Sequence, residues 1–172
     1  MQIGIPAEII AGETRVAATP DTVKKYITAG YRVVVQAGAG VNASVPDASF
    51  SAVGASIVND AVTAYASDII LKVQAPTAEE IALIKDGATV VAMFDPYRNP
   101  NLASFAAKNL HCFALELLPR TLSRAQNMDV LSSQSNLAGY KSVLLAANEY
   151  QRPVSMFMTS AWTVKPARIV IM

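Results

Sequence analysis

Charge is scarce in this chain. Only 16% of the residues are charged, and 14 Lys+Arg against 13 Asp+Glu leave a net charge of +1. No basic run stands out from that balance, so nothing gathers a field able to hold a nucleic acid or an anionic membrane. Cysteine is nearly missing as well. The single Cys112 excludes an internal disulfide, and its neighbours lack metal-ligand spacing, so no metal is expected. Long apolar runs are absent: the apolar residues fall in short stretches such as 31–35 and 88–94, too short to span a bilayer. Direct membrane insertion is therefore not expected. The start, Met1-Gln2-Ile3-Gly4-Ile5-Pro6, has neither the basic head nor the long apolar body of a secretory signal, which points to a cytoplasmic protein.

What is present is a large apolar fraction, 52%, with a mean hydropathy of +0.32 over 172 residues. That suffices for the core of one domain, or of one domain and the start of another.

The apolar residues are grouped as alternating strand and helix signals. Gln2–Ile5 reads as a strand ended by Pro6. Thr19-Pro20-Asp21 opens a helix: a hydroxyl cap, a proline suited to the first turn, and an acid at the positive end of the dipole. Gly30 closes it and residues 31–36 form the next strand. The pattern continues through a short helix at 47–52, a strand at 56–58, a helix at 60–66 and a strand at 68–73. Thr77-Ala78-Glu79-Glu80 is a capping box for a helix ending near Gly87. Residues 88–94 form a buried strand, 99–109 a helix and 111–117 a last strand. Such alternation predicts an α/β fold: a doubly wound, mainly parallel sheet of the Rossmann or flavodoxin kind, with helices on both faces. Ligands of such sheets sit beyond the carboxyl ends of the strands.

The rhythm breaks after Leu117. Residues 119–134 are polar and strandless, 135–150 read as one long helix, and 167–172 look like the opening of a new buried strand. The expected organisation is an α/β domain over 1–134, a linking helix and junction over 135–166, and the start of a further nucleotide-binding domain at 167–172.

Several residues carry candidate chemistry. Arg15, in a polar loop, either holds a carboxylate or phosphate through its fork or makes an inter-element salt bridge. Lys72 interrupts an apolar strand near its carboxyl end, where a lysine either snorkels out or serves a site. Asp95 ends the neighbouring strand and is a turn cap or a catalytic carboxylate. Gly38-Ala39-Gly40-Val41-Asn42-Ala43 fits a dinucleotide fingerprint in letters, but Pro46 argues against the helix that such a site needs. It reads as an ordinary glycine turn. His111 and Cys112 are adjacent on a strand and face opposite ways, so they form no catalytic pair. The segment 120–135 concentrates Arg120, Arg124, Gln126, Asp129, Ser132 and Ser133, groups suited to reading a carboxamide or a phosphate, with no strong nucleophile among them and no base partner to activate one, which favours binding and orientation over covalent catalysis.

On these residues the chain resembles the alanine dehydrogenase and transhydrogenase family. The likeness is carried by Ile3-Gly4-Ile5-Pro6, Glu13-Thr14-Arg15-Val16-Ala17-Ala18-Thr19-Pro20, Gln36-Ala37-Gly38-Ala39-Gly40 and Ile70-Leu71-Lys72-Val73. The most specific stretch runs from Ser123-Arg124-Ala125-Gln126 through Met128-Asp129 to Leu131-Ser132-Ser133-Gln134-Ser135-Asn136 and Leu137-Ala138-Gly139-Tyr140. Within the family it is similar to the amino-terminal part of NAD(H)-binding alpha subunits of proton-translocating NAD(P) transhydrogenases.

The resemblance implies an oxidoreductase subunit that binds NAD(H), is dimeric when whole, and passes hydride to NADP(H) held by a partner domain. Membrane and NADP-binding partner subunits would place it on the cytoplasmic side of the inner membrane. Arg120, Gln126 and Asp129 would act in orienting nicotinamide, with Ser132 and Ser133 also touching the cofactor. Arg15, Lys72 and Asp95 would line the substrate pocket. Alanine dehydrogenases place a histidine near position 95, so Asp95 points away from an amino-acid substrate. The stretch 119–124 is one residue longer than the family pattern, and Trp162 stands where a glycine is common. The chain also stops where the family's nucleotide fingerprint begins, so alone it is expected to be inactive. The alternatives are a short non-catalytic relative that binds a partner through 135–150, and a piece of an alanine dehydrogenase-like enzyme.

Overall fold

A computed structural model describes residues 1–171. Their contacts form two compact units, one of Met1–Met128 and one from Asp129 onward.

The first unit is a six-stranded parallel sheet in the order β3-β2-β1-β4-β5-β6. The strands are β1 (Gln2–Ile5), β2 (Arg32–Gln36), β3 (Ser56–Val58), β4 (Ile69–Gln74), β5 (Thr89–Met93) and β6 (His111–Ala114). Between them run α1 (Pro20–Thr28), α2 (Asp47–Ala52), α3 (Ala61–Tyr65), α4 (Ala78–Leu83) and α5 (Leu102–Ala107). This is the expected doubly wound α/β fold, and its order reverses between β1 and β4, the switch point where such sheets place ligands.

Strand register explains the two cores. Ile3 and Ile5 point to one face of β1 and Gly4 to the other. Ile3 and Ile5 join Val33, Val35, Val23 of α1 and Phe50 of α2. Gly4 pairs with Ile70, so their side looks the opposite way, where Ile70, Val90 and Ala92 meet Tyr65, Ile81 and Phe105 of α3, α4 and α5. Glycine is required at position 4: a Cβ there would lie 2.1 Å from the Ala64 carbonyl oxygen and 2.7 Å from Ser67 Oγ. The helix starts follow the sequence signals. Thr19 Oγ1 accepts from Thr22 N, and Thr77 and Glu80 close the capping box at both ends.

Several boundaries differ from the sequence reading. The helix expected to reach Gly87 stops at Leu83, where Lys108 Nζ donates to the carbonyls of Ala82 and Ile84 and satisfies the chain end. The helix expected over 99–109 spans Leu102–Ala107, because Asn99 is used in a turn. The strand expected to reach Leu117 ends at Ala114 and becomes a 3-10 turn, Leu115–Leu117, that turns Glu116 toward β5.

The segment 120–135 is helical for much of its length. It contains α6 (Ser123–Gln126), anchored by the buried Ala125, and then the start of α7. Helix α7 spans Val130–Glu149, beginning before the expected Ser135 because Asp129 caps it: its Oδ1 accepts from Ser132 N at 3.0 Å. The polar residues that suggested a loop are its first turn. The second unit also holds an antiparallel pair, β7 (Phe157–Met158) and β8 (Thr163–Val164). Residues 167–171 form no strand, contrary to expectation. Val170 and Ile171 are 83% and 90% exposed, and Met172 lies outside the described residues.

Candidate functional site

Beyond the carboxyl ends of β4 and β5 lies a cleft of about 320 Å³. Ile10 of the loop after β1, Gln74 to Thr77 from the last residue of β4 onward, and Met93 to Asp95 and Arg98 to Asn101 from the last residue of β5 onward line it. Its position is set by topology, since every parallel strand of the sheet delivers its following loop to this end.

Asp95 stands on the rim of the cleft in a left-handed turn, φ 46°. Its carbonyl oxygen accepts from the N–H groups of Arg98 and Asn99, both at 2.9 Å, and its Oδ2 accepts from Arg98 Nε at 3.0 Å. Asn99 Nδ2 donates to the Phe94 carbonyl at 2.7 Å. Below them Glu116 Oε1 accepts from the N–H of Phe94 at 2.7 Å and of Asp95 at 2.5 Å. The turn is thus held from inside the fold. Glu116 gave no signal in the sequence because its partners are backbone groups in the turn that follows β5, 21 or more positions away.

Arg15 and Lys72 lie near the switch point, and both are held by carboxylates of the chain itself. Arg15 Nε and Nη2 reach Glu13 at 2.7 and 2.6 Å as a fork on a carboxylate whose side chain is 6% exposed. Arg15 holds the Glu13 carboxyl down at about 2, against the opposing effect of burial and with help from the Gln74 amide. Lys72 Nζ is fully buried, 2.6 Å from Glu80 Oε1, 3.4 Å from Glu8 Oε2 and 3.3 Å from the Tyr65 hydroxyl. Burial and the neighbouring Glu80 raise the Tyr65 phenol well above its ordinary value, so it stays a neutral donor to Glu80.

Glu8 also continues the sheet. Where β4 slips in register between Leu71 and Gln74, its carboxylate accepts from Val73 N at 2.6 Å. Lys72 therefore neither snorkels out nor faces open solvent. Glu8 and Tyr65 were not singled out in the sequence. Glu80 was read only as half of the capping box, which uses one of its two oxygens.

Arg120 and Gln126 are exposed at and around α6 and make no side-chain hydrogen bond among the described residues. Asp129, Ser132 and Ser133 come together at the start of α7. Ser132 Oγ donates to Asp129 Oδ2 at 2.6 Å, and Ser133 Oγ to the Asp129 carbonyl at 3.1 Å.

The glycine turn at 38–43 is an ordinary turn, as its letters with Pro46 suggested. It passes into a 3-10 turn, Val41–Ala43, and the Gly38 N–H donates to both oxygens of Asp47 at 2.9 and 3.0 Å. A carboxylate occupies the position where a fingerprint loop would offer its amide to a phosphate. Among the described residues no group of three or more His, Cys, Asp or Glu could hold a metal, and no helix is long and apolar enough to cross a membrane.

The profile of the family described as "Alanine dehydrogenase/PNT, N-terminal domain" matches residues 4–138. The chain belongs to that family. Among relatives, an NAD(P) transhydrogenase alpha subunit of Rhodospirillum rubrum is 46% identical over 178 residues, covering 99% of this chain and 46% of that protein. A solved transhydrogenase from Sinorhizobium meliloti superposes with a TM-score of 0.92 at 45% identity, over 97% of this chain and 48% of that one. Alanine dehydrogenase of Bacillus subtilis is more distant, 29% identical over 89% of this chain and 40% of that protein. This family member thus spans about half the length of the relatives that it matches.

Proposed function

We propose that the chain is the amino-terminal portion of the NAD(H)-binding subunit of an NAD(P) transhydrogenase, an oxidoreductase in which it helps orient nicotinamide. The observation that carries this reading is the cleft beyond β4 and β5. It has apolar walls from Ile10, Pro76, Met93 and Phe94, a few fixed polar groups, and no cysteine, histidine or lysine in its lining. Bound there, a dihydronicotinamide ring supplies a hydride for direct transfer to NADP on a partner domain, a reaction that needs position and dryness more than an acid or base.

The residues of this chain bind, orient and exclude water. The Asp95–Asn99 turn forms one wall, held by Glu116. Arg120 and Gln126, and separately Asp129, Ser132 and Ser133, are the proposed cofactor-orienting groups. Asp95 lines the pocket; Arg15 and Lys72 do not, and Arg15 bears on it through Glu13, which holds the lining residue Gln74. The turn at 38–43 does not fit a pyrophosphate, since Asp47 takes its amide. In the whole protein that cradle belongs to a second nucleotide-binding domain, and coupling to proton movement runs through membrane and NADP-binding subunits, with the NAD(H) subunit a homodimer on the cytoplasmic side. An amino-acid dehydrogenase is the weaker reading, because Arg15 and Lys72 are both engaged by internal carboxylates.

The test is a graft. Residues 1–172 replace the matching segment of the Rhodospirillum rubrum subunit, and hydride transfer from NADH to NADP is measured. Transfer is expected, and Gln126→Asn should lower its rate much more than NADH affinity. A folded graft that binds NADH and transfers nothing overturns the proposal, and an unchanged rate in Gln126→Asn removes that residue from the reaction.

A further inference from the structure

We propose that Glu116 positions the segment bearing Arg120 and Gln126, and so governs the rate of hydride transfer rather than the affinity for NADH. The role of those two residues rests on the transhydrogenase reading above; the tie itself rests on geometry alone.

The tie follows from the register of the sheet. Strands β5 and β6 pair as far as Ala92 with Ala114, so two further positions would set residue 116 opposite Phe94. The pairing stops there, because the chain tightens into the 3-10 turn Leu115–Leu117. The N–H groups of Phe94 and Asp95 then have no strand to bond, and an unpaired N–H at a buried strand end is costly. Glu116 supplies the acceptor from its side chain. Its Oε1 takes both N–H groups, at 2.7 and 2.5 Å, a charge-assisted pair of bonds.

Those two bonds fasten the start of a segment that is otherwise bonded to itself. Among the described residues, every other hydrogen bond of residues 116–128 stays within 115–128. Leu122 N donates to the Pro119 carbonyl and Met128 N to the Ala125 carbonyl, both at 2.9 Å. Packing adds a second anchor, the buried Ala125 of α6. Arg120 lies between the two anchors and Gln126 just past the second, both exposed. Glu116 does not line the cleft, so it acts on a cofactor only through the chain it holds.

The consequence falls on alignment. Direct transfer between two rings depends on holding them close and in line, and a displacement of about 1 Å can cost about a hundredfold. Affinity for NADH is gathered along the whole dinucleotide, whose pyrophosphate is assigned above to a second domain, and is less sensitive. Glu116 also permits a clean substitution. Its other oxygen, Oε2, is buried and has no hydrogen-bond partner among the described residues, so an NH2 group in its place breaks no bond. Glutamine keeps the acceptor and the reach, whereas aspartate keeps the charge and loses the reach.

The graft tests this, with hydride transfer, NADH affinity and amide hydrogen exchange over residues 118–128 measured together. Glu116→Ala and Glu116→Asp should each slow transfer about tenfold or more and speed exchange, with NADH affinity kept within about twofold. Glu116→Gln should show the parent rate and the parent exchange. Asp60→Ala removes the cap of α3, where Asp60 Oδ1 accepts from Thr63 N at 2.6 Å, and should leave transfer unchanged. If the alanine variant does not fold, the contrast of glutamine with aspartate decides. A parent rate in the aspartate variant, a glutamine variant as slow as aspartate, a loss confined to NADH affinity, or equal slowing in Asp60→Ala overturns the assignment. The two readings fail separately. A graft that transfers nothing, yet whose exchange follows Glu116, keeps the tie and loses the transhydrogenase reading; a transferring graft indifferent to Glu116 loses only the tie.

Discussion

Glu80 holds Lys72 with one carboxylate oxygen, Oε1 at 2.6 Å, and closes the start of α4 with the other, which accepts from Thr77 N at 2.8 Å. One side chain thus fixes the position of a helix and of a buried lysine. Around it, two buried carboxylates share a single cation, and a neutral phenol supplies the remaining proton.

Lys72→Met should therefore be severe. It leaves Glu8 and Glu80 buried without their cation, at a cost of about 3–5 kcal/mol in urea unfolding. Glu80→Gln, which leaves Lys72 its contact with Glu8, should cost less. A methionine variant as stable as the parent would show that the lysine is not the centre of this cluster.

Acid should act through Glu13. Its pKa is lowered to about 2 from an ordinary 4.5, so its contribution is full above that ordinary value and is lost as pH falls toward the folded one. Because Arg15 is half-exposed, the contribution is of order 1–2 kcal/mol. Melting curves from pH 5 to 2 should show the parent losing stability more steeply than Glu13→Gln; parallel curves would remove Glu13 from the acid response.

Gly4→Ala should be poorly tolerated, costing about 3 kcal/mol or more, because backbone rather than a movable side chain blocks the new methyl. Gly38→Ala meets open space and only the strain of a positive φ, so about 1 kcal/mol is expected. Thermal melts of the two variants compare them directly, and equal losses would show that the contact of α3 with β1 yields easily.

Asp129 serves as a cap whatever else it does. Asp129→Ala should cost about 1 kcal/mol, and Asp129→Asn much less, since asparagine caps as well. The same pair read by hydride transfer in the graft separates charge from capping. A rate lost in the asparagine variant with stability kept assigns the charge to cofactor orientation, and a retained rate limits Asp129 to the helix start.

The fold was legible because its signals are local. Thr19-Pro20, the Thr77 to Glu80 box and the β-rich runs each act within a few residues, and the sheet followed from their alternation. The first turn of α7 was hidden because Ser132 and Ser133 suit a loop as well as a capped helix, and only the bond from Ser132 to Asp129 decides between them. The site was legible in its cations and hidden in its anions. Arg15 and Lys72 stand out in their surroundings, but Glu8 and Glu116 act on backbone groups 65 and 21 or more positions away, a relation that no local pattern records.

The strand order also sets a schedule for folding. Strand β1 precedes the other five strands of its sheet in the chain, yet it lies at the middle of the finished sheet. Its β2 side can pair early, while the other side waits for Ile69 and Ile70 to emerge and for α3 to settle over Gly4. Until then the nascent chain carries an open, apolar strand edge, the kind that invites pairing with a neighbouring chain. The docking of β4 is the event that ends that exposure.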